Sequence, residues 1–139
     1  MVHTKVIAML QRARVLLILL FGATSAASAE TIVREFSGSG TEETRSFTVQ
    51  GPWIANWRVW QDYGDRDVAN IEIFLYDAAT GRYLGRITEQ RGDAVGDRLI
   101  DDSGRFHFRI VSRSHRWEVT VIDIDEAEAR RLRRDAGGR

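Results

Sequence analysis

Arg105–Ile124 reads RFHFRIVSRSHRWEVTVIDI. In its first half Phe106, Phe108 and Ile110 alternate with Arg105, His107 and Arg109. In its second half Trp117, Val119 and Val121 alternate with Arg116, Glu118 and Thr120. Successive side chains of a strand point to opposite faces, so each half reads as a strand with one buried and one solvated face. The linker Ser112-Arg113-Ser114-His115 joins them.

The same pattern extends outward along the chain. Thr31–Phe36 is a candidate strand, and Arg45–Gln50 places Phe47 and Val49 on one face. Trp53–Gln61 does the same with Trp53, Ala55, Trp57 and Val59. Val68–Asp77 turns Ile71, Ile73 and Leu75 one way and Glu72, Phe74 and Tyr76 the other. Arg82–Glu89 is a weaker strand and Arg98–Asp101 a short one. Asp77-Ala78-Ala79-Thr80-Gly81 has hairpin chemistry, with a Gly free to take positive φ, and Asp101-Asp102-Ser103-Gly104 precedes the next strand in the same way. About eight short strands with turns roughly every 8–12 residues predict an all-β chain, a single antiparallel sandwich or barrel.

The two ends differ from this body. Lys5, Arg12 and Arg14 precede the apolar run VLLILLF at 15–21, and GATSAASA at 22–29 ends in Ala27-Ser28-Ala29. A basic head, a short apolar stretch and a small-x-small site predict a secretory signal helix over 1–29, cleaved after Ala29. The run is too short to span a bilayer, which takes about 20 apolar residues. Arg12 and Arg14 are not adjacent, which favours the general secretory route over the twin-arginine one. Met9 also begins a complete signal by itself. Residues 30–125 are then the sandwich domain. Residues 126–139 form a short charged tail, with DEAEARRLRR at 125–134 a helix candidate lacking an apolar stripe. Such a terminus is expected to be solvated.

Composition narrows the function. The chain has no Cys, which excludes disulfides, thiolate metal sites and Cys nucleophiles. Residues 30–139 carry 17 Arg, no Lys and 20 acidic residues, a net charge of −3. That balance gives no pull toward nucleic acid. An exported domain held by packing alone fits a periplasmic or secreted bacterial protein. Nothing in the sequence requires an oligomer.

Ile71-Glu-Ile-Phe-Leu-Tyr-Asp77, Gly104-Arg-Phe-His-Phe-Arg-Ile110 and Trp117-Glu-Val-Thr-Val121 together resemble the bacterial pre-peptidase C-terminal domain. Gly51-Pro52-Trp53 and Trp57 are similar to stand-alone exported domains of unknown role. The resemblance covers 71–123 and implies a jelly-roll-like sandwich with an accessory or binding role. It carries over no catalytic residue, and the domain is expected to stand alone.

Four constellations are candidates for chemistry. Trp53, Trp57 and Trp117 are expected in the core, which leaves Trp60, Tyr63, Phe74 and Tyr76 as outward aromatics for ligand binding. Asp62, Asp65 and Asp67, on a loop with Gly64, are candidate Ca²⁺ ligands, with Asp101 and Asp102 as possible complements. No other cofactor is implied. Arg105, His107 and Arg109, with Arg58 nearby, form a basic strip expected to pair across strands with Glu72 and Glu118. Arg91-Gly92-Asp93 is expected to be a turn. No glycine-rich phosphate loop, metal motif or nucleophile elbow occurs, so no catalytic residue is assigned. The expected function is non-enzymatic binding of an envelope protein or polysaccharide. The alternative is a weak carbohydrate-binding module assisted by calcium.

Overall fold

The computed structural model describes residues 30–61 and 69–138. Among them, nine strands and one helix follow in order. They are β1 (Thr31–Ser39), β2 (Glu42–Glu43), β3 (Phe47–Val49), β4 (Trp53–Gln61), β5 (Asn70–Asp77), β6 (Tyr83–Arg91), β7 (Ala94–Ile100), β8 (Gly104–Ser112), β9 (His115–Asp123) and α1 (Glu126–Gly137). Every pairing is antiparallel.

The pairings are nested. β1 lies on β9, β2 and β3 on β8, β4 on β7, and β5 on β6, like the rungs of one long hairpin. Two further pairings, β4 with β9 and β5 with β8, roll that ribbon into two sheets. One sheet has the order β1-β9-β4-β7; the other has β2-β8-β5-β6, with β3 also on β8. This is a jelly roll, the form of sandwich that the resemblance implied. The halves of 105–124 therefore fall in opposite sheets, and their apolar rows face each other across the core.

The inward rows are the expected ones. Trp53, Ala55, Trp57 and Val59 of β4 and Trp117, Val119 and Val121 of β9 are buried against Ile71, Ile73 and Leu75 of β5 and Phe106, Phe108 and Ile110 of β8. Phe47 and Val49 of β3 close one end. Trp53 is fully buried, 5.2 Å from Phe47 and 5.7 Å from Phe106 between ring centres. Its indole N–H donates to the Asp102 carbonyl at 3.1 Å, so the polar tip is satisfied without leaving the core.

Three expectations need correction. The short strand at 98–101 is the full β7, because the neighbouring β4 supplies a ladder for it. Gly96, which reads as a breaker, leaves room for Trp57: a Cβ there would lie 2.7 Å from the indole Cε2. The strand expected over 45–50 is shortened to β3, and an additional two-residue strand, β2, precedes it. Between them Thr44 bonds Phe108 twice, its N–H donating to the Phe108 carbonyl and its Oγ1 accepting from the Phe108 N–H. The tail is the helix that its sequence suggested, but it is docked and not merely solvated. Asp125 caps α1, accepting the Glu128 N–H at 2.7 Å, and Ala129 is fully buried. Arg133 pairs with Asp101 and with Glu126, tying the helix to the end of β7. Ala129 and Glu128 are the two buried residues of a helix that has no apolar stripe. The proposed signal segment lies outside the described residues.

Candidate functional site

Among the described residues, the outer face of the β2-β8-β5-β6 sheet carries the densest group of outward aromatic rings. Register builds it. Tyr76 of β5 lies opposite His107 of β8 and Tyr83 of β6, and Phe74 lies opposite Arg109 and Arg86. Glu72 lies opposite Val111 and Glu89. The face is thus three short rows across three strands: His107-Tyr76-Tyr83, Arg109-Phe74-Arg86 and Val111-Glu72-Glu89. Tyr83 is 53% exposed, and its partners are half-buried.

A hairpin fixes this geometry. Asp77 Oδ1 accepts the N–H groups of Ala79 and Thr80 at 2.9 Å each, and Gly81, at φ +72°, returns its N–H to the Asp77 carbonyl at 2.8 Å. The Thr80 amide is the main reason the Asp77 carboxyl titrates below its ordinary range. The Asp77 N–H to Arg82 carbonyl bond, at 2.9 Å, sets Tyr76 against Tyr83 one step later. Beyond it, β6 bulges twice, placing Ile87 and Leu84 as extra residues on an edge strand.

The rings pack on one another. Tyr76 and His107 stack at 5.3 Å and 11°. Tyr83 meets Tyr76 at 5.6 Å, tilted, and Phe74 at 6.0 Å, edge to face. A face covered by a neighbouring ring is not free to stack on a ligand, so Tyr76 presents its edge on the His107 side. The surrounding charges are partly committed. Arg86 bridges Glu72 at 3.2 Å and Glu89 at 2.7 Å. Arg105 donates to Ser46 Oγ at 2.8 and 3.1 Å. Arg109 faces Glu43 across β2.

The expected site residues are therefore divided. Phe74 and Tyr76 come together. Trp60 stands on the outer face of the other sheet, in register with Arg116. Arg58 is beside it, its guanidinium 5.5 Å from the Trp60 ring centre, and not beside the Arg105-His107-Arg109 strip. Glu118 also belongs to that other sheet, opposite Arg58, so the pairing expected for the strip is made by Glu72 with Arg86 instead. Tyr63, Asp62, Asp65 and Asp67 lie outside the described residues. Asp101 is tied to Arg133, and no group of three or more His, Asp or Glu among the described residues is placed to hold a metal ion. His115 is wholly buried, its Nε2 2.9 Å from the Gly92 carbonyl. Arg91-Gly92-Asp93 is the turn from β6 to β7, and Asp93 Oδ1 accepts the Gln61 N–H at 2.9 Å. Tyr83 was not anticipated. Counting outward from the Asp77–Gly81 turn pairs it with Tyr76, so the signal was present.

No protein-family model matches the chain, and no curated protein matches it in sequence. The likeness to pre-peptidase domains thus reduces to a shared β-sandwich. Among solved structures, the chain is similar to PliG of Aeromonas hydrophila, a periplasmic inhibitor of g-type lysozyme. The identity is 14% over 74% of this chain and 90% of that one, with a TM-score of 0.35. It is also similar to the C-terminal CBM6 of LamC, a marine laminarinase from Zobellia galactanivorans. Here the identity is 15% over 69% of this chain and 77% of that one, with a TM-score of 0.34. No helix among the described residues is long and apolar enough to cross a membrane.

Proposed function

We propose that this is an exported, non-catalytic binding protein of the bacterial envelope or its surroundings, and that it holds a protein partner on the outer face of the β2-β8-β5-β6 sheet. The observation that carries this reading is the packing of the ring cluster. Tyr76, His107, Tyr83 and Phe74 form a self-supporting patch whose rings interlock, bordered by Arg86, Arg105 and Arg109. Tyr and Arg are the residues that most often anchor protein interfaces, because each combines large area with directed polar groups. Stacking on a sugar needs an open ring face, and the Tyr76 face toward His107 is taken.

The test is capture from an envelope extract with the full-length protein as bait. A discrete protein retained by the wild type, and weakened at least about tenfold by Tyr83→Ala, supports the reading. Retention that is indifferent to Tyr83→Ala and Phe74→Ala removes this face as the binding surface.

A further inference from the structure

The topology leaves the basic row of β8 without the acids expected to answer it. Arg105, His107 and Arg109 point outward at every second position, which spaces them by about 7 Å along the strand. Glu118 is on the other sheet, and Glu72 is held by Arg86, which also holds Glu89. Glu43 is in register with Arg109, yet the two form no ion pair among the described residues. We infer that the partner held on this face lays an extended acidic segment along the Arg105-His107-Arg109 row. The inference rests on the ring cluster being a docking face for a protein, and it names what that protein brings there.

Charge is sorted across the face. On the β6 side, Arg86 stands between Glu72 and Glu89, one guanidinium for two carboxylates. Asp77, at the hairpin, gives its carboxylate to the amides of Ala79 and Thr80 and faces Arg82. On the β8 side, Arg105 and Arg109 are joined by Arg45, exposed just after Thr44, whose N–H donates to the Phe108 carbonyl. These three guanidinium groups meet one carboxylate, Glu43. The border beside Tyr76 and Phe74 is therefore positive, on a domain whose residues 30–139 carry a net charge of −3. Ser46 accepts from Arg105 at 2.8 and 3.1 Å, which orients that guanidinium without neutralising it.

Spacing and chemistry select the partner segment. An extended chain repeats its same-face side chains at about 7 Å, the repeat of the β8 row itself. Acids at alternate positions of such a segment therefore fall in step with Arg105, His107 and Arg109. A guanidinium is a planar fork that meets a carboxylate through two parallel hydrogen bonds. His107 lies flat against Tyr76, so its ring nitrogens are left at the ring edge to meet the middle position. A basic segment would instead be repelled by the three guanidinium groups.

The probe is the blocked peptide Ac-Glu-Ser-Glu-Ser-Glu-amide, titrated into the full-length protein at fixed pH. The readout is the His107 ring C–H signal in proton NMR; the chain has three His, and His107→Gln identifies it. The peptide should shift this signal saturably and bind at least about fivefold more tightly than its Gln-for-Glu counterpart. Arg109→Gln should weaken binding about threefold. Arg58→Gln, the same charge change on the other sheet, should leave it unchanged. Salt at about 1 M, which screens charges beyond about 3 Å, should abolish the preference for Glu. Equal binding of the two peptides, or equal losses in the two Arg variants, overturns the inference. Trigalacturonate, with three carboxylates on a saccharide, binding as tightly as the Glu peptide overturns the protein source of the acid. A captured protein lost with Tyr83→Ala but indifferent to Arg109→Gln and to salt leaves the ring cluster as the docking face and removes the acidic segment. Indifference to Tyr83→Ala as well removes the face itself.

Discussion

At the scale of single residues, two positions show how tightly the fold is specified. Gly96 faces the Trp57 indole, and a Cβ at that site has no space. Gly96→Ala should therefore cost about 1–3 kcal/mol in chemical denaturation, as overpacking does. Gly51→Ala, with nothing within 4 Å of the new Cβ, should stay within about 0.5 kcal/mol of wild type. Asp123 and Asp77 should move stability with pH in opposite senses. Burial raises the Asp123 carboxyl above its ordinary range, and its Oδ1 has no hydrogen-bond partner. The folded chain therefore holds that proton more tightly than the unfolded chain, and the charged form costs stability once the pH rises past the folded value. Asp123→Asn should raise the melting temperature at neutral pH, and the gain should shrink as pH falls through the folded titration of Asp123. Asp77 is shifted downward, so its contribution is present above the unfolded value and is lost as pH falls through the folded one. Asp77→Asn should flatten the acid limb of the stability curve. A melting series across the acid range checks both.

At the scale of elements, alternation carried most of the reading. β4, β5, β8 and β9 are long, strictly alternating and central in their sheets, so period and burial agree. The edges were less legible because their partners define them. β7 has no apolar alternation of its own and exists through its ladder to β4. β2 is two residues long and rests on β8. α1 was legible as a helix but not as a docked one, since its burial rests on Glu128 and Ala129 and its anchor on the distant pair Arg133–Asp101. Asp125→Ala removes the cap and should cost about 1 kcal/mol. Ala129→Arg should do more, because it forces a long charged side chain into a fully buried site. Hydrogen exchange should show 126–137 losing protection while β4 and β9 keep theirs.

At the scale of the whole molecule, the outward aromatics illustrate what alternation does and does not reveal. It marks Trp60, Phe74 and Tyr76 as outward without saying which sheet each belongs to. Only the nested pairing, which sends β4 to one sheet and β5 to the other, separates them onto opposite faces. The same pairing brings Tyr83 and His107 to Tyr76 from strands on either side. Two faces with different chemistry result. One is an interlocked ring cluster, and the other carries Trp60 beside Arg58. The core is independent of both, so Tyr83→Ala should leave the melting temperature within a few degrees of wild type while abolishing capture. The most direct test of the protein-binding face is site-specific photo-cross-linking in the native host. A photoreactive residue is placed either at Tyr83 or at Val95, which is 75% exposed on the other sheet. The account predicts a discrete protein adduct from position 83 and none from position 95. An adduct from position 95 alone, or none from 83, would contradict it.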